Sequence, residues 1–369
     1  MIENPPPWPN GARCAVAFSF DVDADSVVHA SHGANAVRMP HALAHMRYDP
    51  FVATPRLAKM FSEHGVPMTC FVPGWVAETY PAARAVFDEV DEALGESLSA
   101  VIWEGDIETL TLTQNAQPAL MATSLAAFRA LEAEGVRLGD GAYVAGHSLG
   151  EYSALAAAGA ISLSDTARLL RIRGLAMQRA VPVGVGAMAA VLGLDLDAVR
   201  AVAAEAAAGE VCEAANDNDP AQVVVSGHKA AVERAVDLAK AKGAKRAVML
   251  PVSAPFHCAL MAPAAEEMQA ALAGVAISAP GVPLIANVSA APVTDPEEIR
   301  ALLVRQVTGA VRWRESVQAM AAQGVTEIWE IGAGKALSGM IRRIDREIAT
   351  LAVGTPEEVA AAAAQLKEG

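Results

Sequence analysis

The chain has 369 residues, of which 53% are apolar and only 5% aromatic, and a formal net charge of −14 at pH 7. That length accommodates two domains, or one large domain with an insertion, and a core packed mainly from Ala, Val and Leu fits an α/β protein. The acidic balance excludes nucleic acid and anionic membrane as main partners. No apolar run reaches the ~20 residues that a membrane span needs. Cys14, Cys70, Cys212 and Cys258 lie far apart with no Cys-x-x-Cys pair, which is neither a disulfide framework nor a zinc ribbon. Met1 to Gly11 carries prolines and no basic-then-apolar stretch, so a cytoplasmic protein without a signal peptide is expected.

In chain order, Cys14 to Phe20 reads as a buried strand that ends in Asp21-Val22-Asp23. A His-rich loop follows, then an amphipathic helix from about Thr54 to His64. A second strand, Val66 to Val72, runs into a Pro73-Gly74-Trp75 turn. Through Phe20-Asp21-Val22-Asp23 and Thr69 to Trp75, residues 13–81 resemble the opening of the polysaccharide deacetylase family. The resemblance implies that Asp21 is a general base and Asp23 a metal ligand. That family's His-x-x-x-His pair should follow the second strand, and it is absent there. His41 and His45 have the spacing but precede the strand, and solvated loop histidines are the better reading. No metal is therefore expected.

After Pro81 the texture changes. Ala82 to Leu94 is an amphipathic helix with Val86, Phe87, Val90 and Leu94 on one face. Thr111 to Leu131 carries another, opening near Gln114 to Pro118, with Pro118 in its first turn. Tyr143 to Glu151 reads as a short strand, a Gly-x-Ser-x-Gly turn and the start of a helix. That is a nucleophile elbow. The tight turn calls for small residues around Ser148, and the helix dipole favours negative charge developing there. Ser162 caps a further helix through Leu169, Leu170 and Arg173.

Residues 184–253 alternate strand, helix, strand, helix, strand, which predicts a ferredoxin-like subdomain inserted in the main one. The main domain is expected to comprise 82–183 and 254–369, an α/β-hydrolase-like core with a parallel sheet. Strands are predicted near Pro283 to Asn287 and Glu327 to Ile331, and a short surface helix from Pro356.

From about Tyr80 onward the chain resembles bacterial malonyl-CoA:acyl carrier protein transacylases. The matching stretches are Gln114 to Leu120, Gly146 to Ser153, Arg173-Gly174, Ser253 to His257 and Gly332 to Lys335, in family order. The resemblance implies transfer of a malonyl group from malonyl-CoA to an acyl carrier protein thiol in fatty acid biosynthesis. No cofactor is implied, because the CoA thioester is itself the substrate, and a monomer is expected. Ser148 would be the nucleophile and His257 its base, oriented by the backbone carbonyl of Gln306. Arg173 would clamp the free malonyl carboxylate with its planar fork. Gln117 and Phe256 would line the acyl pocket, and the Leu149 N–H would be one oxyanion donor.

The family's N-terminal strand and Gly-Gln-Gly-Ser-Gln loop, which give the second oxyanion donor, have no counterpart here. The expectation is that the strand ending at Pro73-Gly74 takes the vacant place, with the N–H of Gly74 or Trp75 as donor. If it does not, activity is impaired. Two alternatives follow from the mixed resemblance. One is a metal-dependent amide or N-acetyl deacetylase resting on Asp21 and Asp23. The other is a non-catalytic fusion that only binds CoA or carrier protein.

Overall fold

The structure, a computed structural model, describes residues 73–252 and 254–368. Asp21, Asp23, His41, His45, the two strands expected before Pro73, and Ser253 lie outside the described residues.

The first described element, α1 (Pro73–Thr79), corrects an expectation. Pro73-Gly74-Trp75 is the first turn of a helix and not a turn after a strand. Proline suits this position because it lacks only an N–H that the first turn leaves unbonded anyway. Val76 and Ala77 of this helix are buried in the main core. The next helix, α2 (Pro81–Leu94), again opens on proline and ends at Gly95 in the left-handed region. It buries Val86, Phe87 and Val90 as its periodicity predicts. Two short helices follow, α3 (Leu98–Glu104) and α4 (Ile107–Thr111), the latter capped by Asp106, whose side chain accepts from the Thr109 N–H.

Helix α5 (Thr113–Ala133) lies within two residues of the expected span at either end, but it opens at Thr113, so Pro118 sits inside it and not in its first turn. A proline there leaves the carbonyl four residues back without its helical donor. That carbonyl is Gln114 O, and Arg171 Nη1 donates to it at 2.6 Å. The helix therefore continues through the proline because a neighbouring helix supplies the missing donor. After α5 come β1 (Val144–Ala145), α6 (Gly150–Ala157) and α7 (Leu163–Ala180). Ser162 caps α7 by accepting from the Asp165 N–H at 3.0 Å. α5 and α7 pack closely at Gly174, where any Cβ would stand 2.5 Å from Gln114 Cα. That approach carries Arg173, one residue earlier, up to Gln117.

The chain then forms β2 (Gly186–Leu192), α8 (Leu196–Ala207), β3 (Cys212–Asp219), β4 (Gln222–His228), α9 (Lys229–Ala241) and β5 (Arg246–Met249). These strands make an antiparallel sheet in the order β3-β4-β2-β5. The period-2 alternation of β2 decides what each face meets. Ala187, Ala189 and Val191 pack against α8 and α9, whereas Met188 and Ala190 face Phe256. Strand β3 was not visible as a strand in the sequence, because Asn216-Asp217-Asn218-Asp219 reads as a loop. Those polar side chains are buried here, and partners outside the sheet meet three of them. Arg314 donates to Asp217 at 3.0 Å, His147 meets Asn218 at 2.9 Å, and Arg343 donates to Asp219 at 2.8 Å.

The remainder comprises α10 (Ala262–Ala273), β6 (Leu284–Ala286), β7 (Ala291–Val293), α11 (Pro296–Thr308), α12 (Trp313–Ala322), β8 (Glu327–Ile331), α13 (Ala336–Ile344), β9 (Ala349–Val353) and α14 (Pro356–Glu368). The fold is α/β with mixed sheets and not one parallel sheet. β1 pairs parallel with β6, β6 pairs antiparallel with β7, and β8 pairs parallel with β9 in a separate ribbon. The C-terminal helix also departs from the surface element expected. Val359, Ala362 and Ala363 are buried in the main core, and Thr355 and Glu358 cap the helix start.

Candidate active site

The turn between β1 and α6 holds Ser148 at φ 54, in the left-handed region that a non-glycine residue occupies only at a cost. What makes the turn possible is Gly146, since a Cβ there would lie 1.9 Å from the Gly150 carbonyl oxygen. Gly150 is under no such constraint, with nothing within 4 Å of a Cβ. The elbow motif thus needs its first glycine for space and its second not at all. Asn287, just past β6 and 1% exposed, braces the elbow. Its Oδ1 accepts from the Ser148 N–H at 2.7 Å, and its Nδ2 donates to the Gly146 carbonyl at 2.7 Å. Two opposite bonds from one amide fix both its orientation and the turn.

Ser148 Oγ lies 2.7 Å from His257 Nε2. The other ring nitrogen, Nδ1, faces the carbonyl oxygens of Gln306 at 2.9 Å and Gly309 at 3.1 Å. Both can only accept, so Nδ1 carries the proton and Nε2 presents its lone pair to the serine hydroxyl. Burial, reinforced by the Arg173 charge, pushes the His257 pKa down to about 3. The imidazole is therefore neutral at any ordinary pH, as a base must be before it acts. His257 also sits at φ 57, so both members of the pair hold strained backbone. Phe256, beside it, packs where the main core meets β2 and β4.

Arg173 reaches the same point from α7 and is 1% exposed. Its Nη1 donates to Gln117 Oε1 at 2.7 Å. Its Nη2 donates to Gln306 Oε1 at 2.8 Å and to Ser148 Oγ at 3.1 Å. Its Nε has no partner among the described residues. The guanidinium also stands 5.7 Å over the Tyr152 ring. Every direct partner of this cation is neutral. Beside it opens a cavity of about 320 Å³, lined among others by Thr113, Gln117, Leu149, Met177 and Phe256, with Ser148 and Arg173 in its wall. A buried, unneutralised guanidinium next to an activated hydroxyl is equipped to receive an acyl group that bears its own negative charge.

Seven residues singled out from sequence thus converge here: Ser148, Leu149, Arg173, Gln117, Phe256, His257 and Gln306. Trp75 belongs to the helix α1. Three further participants went unread. Glu151, Asn287 and Gly309 touch the pair only through the fold, and nothing in their local sequence distinguishes them. Gln306 was assigned only a backbone role, yet its side chain joins Arg173, the Ser148 carbonyl and Glu151. His147 turns away to Asn218 and the Trp313 ring, as a bracing residue. Among the described residues no cluster of His, Cys, Asp and Glu could hold a metal ion. Of the basic side chains, Lys242 pairs with Glu205 and Arg343 with Asp219.

Comparison with known proteins places this geometry. The acyl transferase domain family matches residues 76–352. A malonyl CoA-acyl carrier protein transacylase of Bacillus subtilis is 47% identical over 292 residues, which is 79% of this chain and 91% of that protein. The crystal structure of an acyl-carrier-protein-S-malonyltransferase from Bartonella henselae is 55% identical. It superposes with a TM-score of 0.79 over 81% of this chain and 96% of its own. A malonyl-transacylase solved in complex with a type II PKS acyl-carrier protein is 40% identical, with a TM-score of 0.78 over 81% of this chain and 96% of that one.

Proposed function

The chain belongs to the acyl transferase domain family, and from that premise we propose how it performs its reaction, in which a malonyl group passes from malonyl-CoA to acyl carrier protein in fatty acid biosynthesis. The observation that carries the reading is one cavity walled by both the buried Arg173 and Ser148, whose hydroxyl is bonded to His257. His257 Nε2 removes the Ser148 proton as Oγ attacks the thioester carbonyl. The resulting tetrahedral intermediate collapses to a seryl ester, and the CoA sulfur leaves with the proton that His257 returns. The carrier-protein thiol then runs the same steps in reverse. A thiolate leaves readily, so a histidine held by two carbonyls, without a carboxylate, is sufficient.

Arg173 selects the acyl group. The malonyl carboxylate takes its fork bidentately and brings a negative charge into direct contact, which none of its hydrogen-bond partners here provides. An acetyl group leaves the guanidinium on Gln117 and Gln306. It is then hydrogen-bonded but not neutralised, which sets the discrimination at roughly 10²-fold. Phe256 limits the space beside the carbon between the two carbonyls, and Gln117 lines the pocket while holding Arg173. The Leu149 N–H, one residue past the nucleophile, is assigned as oxyanion donor. In this reading residues 82–183 and 254–369 form the catalytic core and 184–253 a ferredoxin-like subdomain. The protein acts as a cytoplasmic monomer with no cofactor.

Mixing purified protein with malonyl-CoA, followed by peptide mass spectrometry, should find a malonyl ester on Ser148 that is absent from Ser148→Ala. Given malonyl-CoA and acetyl-CoA in equal amounts, Arg173→Ala should form the acetyl ester at the expense of the malonyl one. An unmodified Ser148, or unchanged acyl preference in the arginine variant, would sink the assignment.

A further inference from the structure

Glu151 carries a buried carboxyl beside the catalytic pair, and that carboxyl is bonded to neither Ser148 Oγ nor His257. It sits three residues after the nucleophile on α6 and is 1% exposed. One of its oxygens, Oε2, accepts from Gln306 Nε2 at 2.6 Å and from the Asn287 N–H at 3.3 Å. The other, Oε1, has no partner among the described residues. A buried carboxyl with a free oxygen is costly to keep unless its bonded oxygen serves something.

What it serves is the orientation of one amide. The Gln306 side chain faces Arg173 on one side, and Glu151 and the Ser148 carbonyl on the other. Arg173 can only donate, so Gln306 Oε1 must face it. A carboxylate and a carbonyl can only accept, so Nε2 must face them. Turning the amide over would set donor against donor and acceptor against acceptor. We propose that Glu151 is a positioning residue for the acyl carboxylate: it locks the Gln306 amide, which in turn holds the Arg173 guanidinium against Ser148. The proposal rests on the reading of Arg173 as the malonyl-binding group.

A dependence on pH follows from the same geometry. Burial raises the Glu151 carboxyl to about 7, against the pull of its bonds from Gln306 and Asn287 and of the Arg173 charge. Arg173 on α7 and Tyr152 on its own helix are the titratable groups that bear on it, whereas α11 and β6 offer it only the amides of Gln306 and Asn287. A malonyl carboxylate docked on Arg173 brings a second negative charge close to Glu151. The carboxyl's pKa therefore rises further in the complex, and binding takes up a proton. By linkage malonyl affinity is highest below pH 7 and falls as pH rises through 7. Glu151→Gln keeps an oxygen for Gln306 Nε2 but cannot ionise.

The test uses the full chain and a malonyl thioester that lacks phosphates, so that no other group on the substrate titrates near 7. In Glu151→Ala the malonyl-over-acetyl ratio of kcat/KM should fall about tenfold or more, mainly through KM for malonyl. Glu151→Gln should restore the ratio to within about threefold, with a KM that no longer rises between pH 6 and 8. Equal loss toward both acyl groups in Glu151→Ala would mark a merely structural residue and overturn the proposal. So would a Glu151→Gln profile that matches the unaltered protein, and this second reading stands even if the alanine variant does not fold. Arg173→Ala run in parallel separates the two levels. If it leaves the ratio unchanged, the Arg173 reading itself fails. If it collapses the ratio while Glu151→Ala does not, only the role of Glu151 is lost.

Discussion

Two carbonyl oxygens decide the chemistry of His257. Because Gln306 and Gly309 accept from Nδ1, and because burial beside Arg173 drives the ring's pKa down to about 3, the side chain is neutral with its lone pair fixed on Ser148. An ordinary histidine, with a pKa of about 6.5, loses its base function as pH falls through that value. Here the lowered pKa moves the loss to much lower pH. Single-turnover acylation at saturating malonyl-CoA should therefore show no acid limb between pH 5 and 7; a limb near 6.5 would mean that the ring is more hydrated than its burial implies. Arg173 contributes twice, by disfavouring the imidazolium and by donating to Ser148 Oγ, where negative charge grows as the proton leaves.

At the scale of elements, the position of Arg173 is a matter of how closely two helices approach. Gly174 lets α7 lie against α5 at Gln114, and Arg171 returns a hydrogen bond to the carbonyl that Pro118 leaves free. Gly174→Ala places a methyl group 2.5 Å from backbone, which no side-chain rotation relieves. It should lower stability by about 1–3 kcal/mol. By moving Arg173 off Gln117 it should also raise KM for malonyl-CoA more than it lowers kcat. Thermal unfolding and steady-state kinetics check the two effects, and a variant with unaltered melting would show that the helices can part at no cost. Elements whose signal is local were legible in the sequence: the Gly146 elbow, the Ser162 cap, and the apolar face of α2. Elements defined by distant partners were not. Strand β3 looks like a loop until Arg314, His147 and Arg343 are set against it, and Pro118 looks like a helix start until Arg171 is. Ser148, His257 and Arg173 were readable through family resemblance, whereas Asn287 and Glu151 become visible only when residues more than a hundred positions apart are brought together.

At the scale of the whole molecule, Ser148 precedes the four-stranded sheet and His257 follows it, so the distance between them depends on how that sheet sits against the core. The polar end of β3 fixes the seat. Asp217 is 3% exposed and takes three contacts from Arg314, at 3.0, 3.0 and 2.9 Å. Arg314→Ala would leave that carboxylate buried without its counter-charge. Because the arginine is itself partly exposed, the expected loss is about 1–3 kcal/mol, below that of a fully enclosed pair. Differential scanning calorimetry should register it as a melting point lower by several degrees, and an unshifted transition would mean the contact is idle. One residue later on the same strand, Asn218 holds the His147 ring beside the nucleophile. The inserted sheet is therefore not a module that can be exchanged freely. A chimera that takes residues 184–253 from a relative would also have to carry over matching partners for His147, Arg314 and Arg343, or the graft would fold and still aim its serine wrongly.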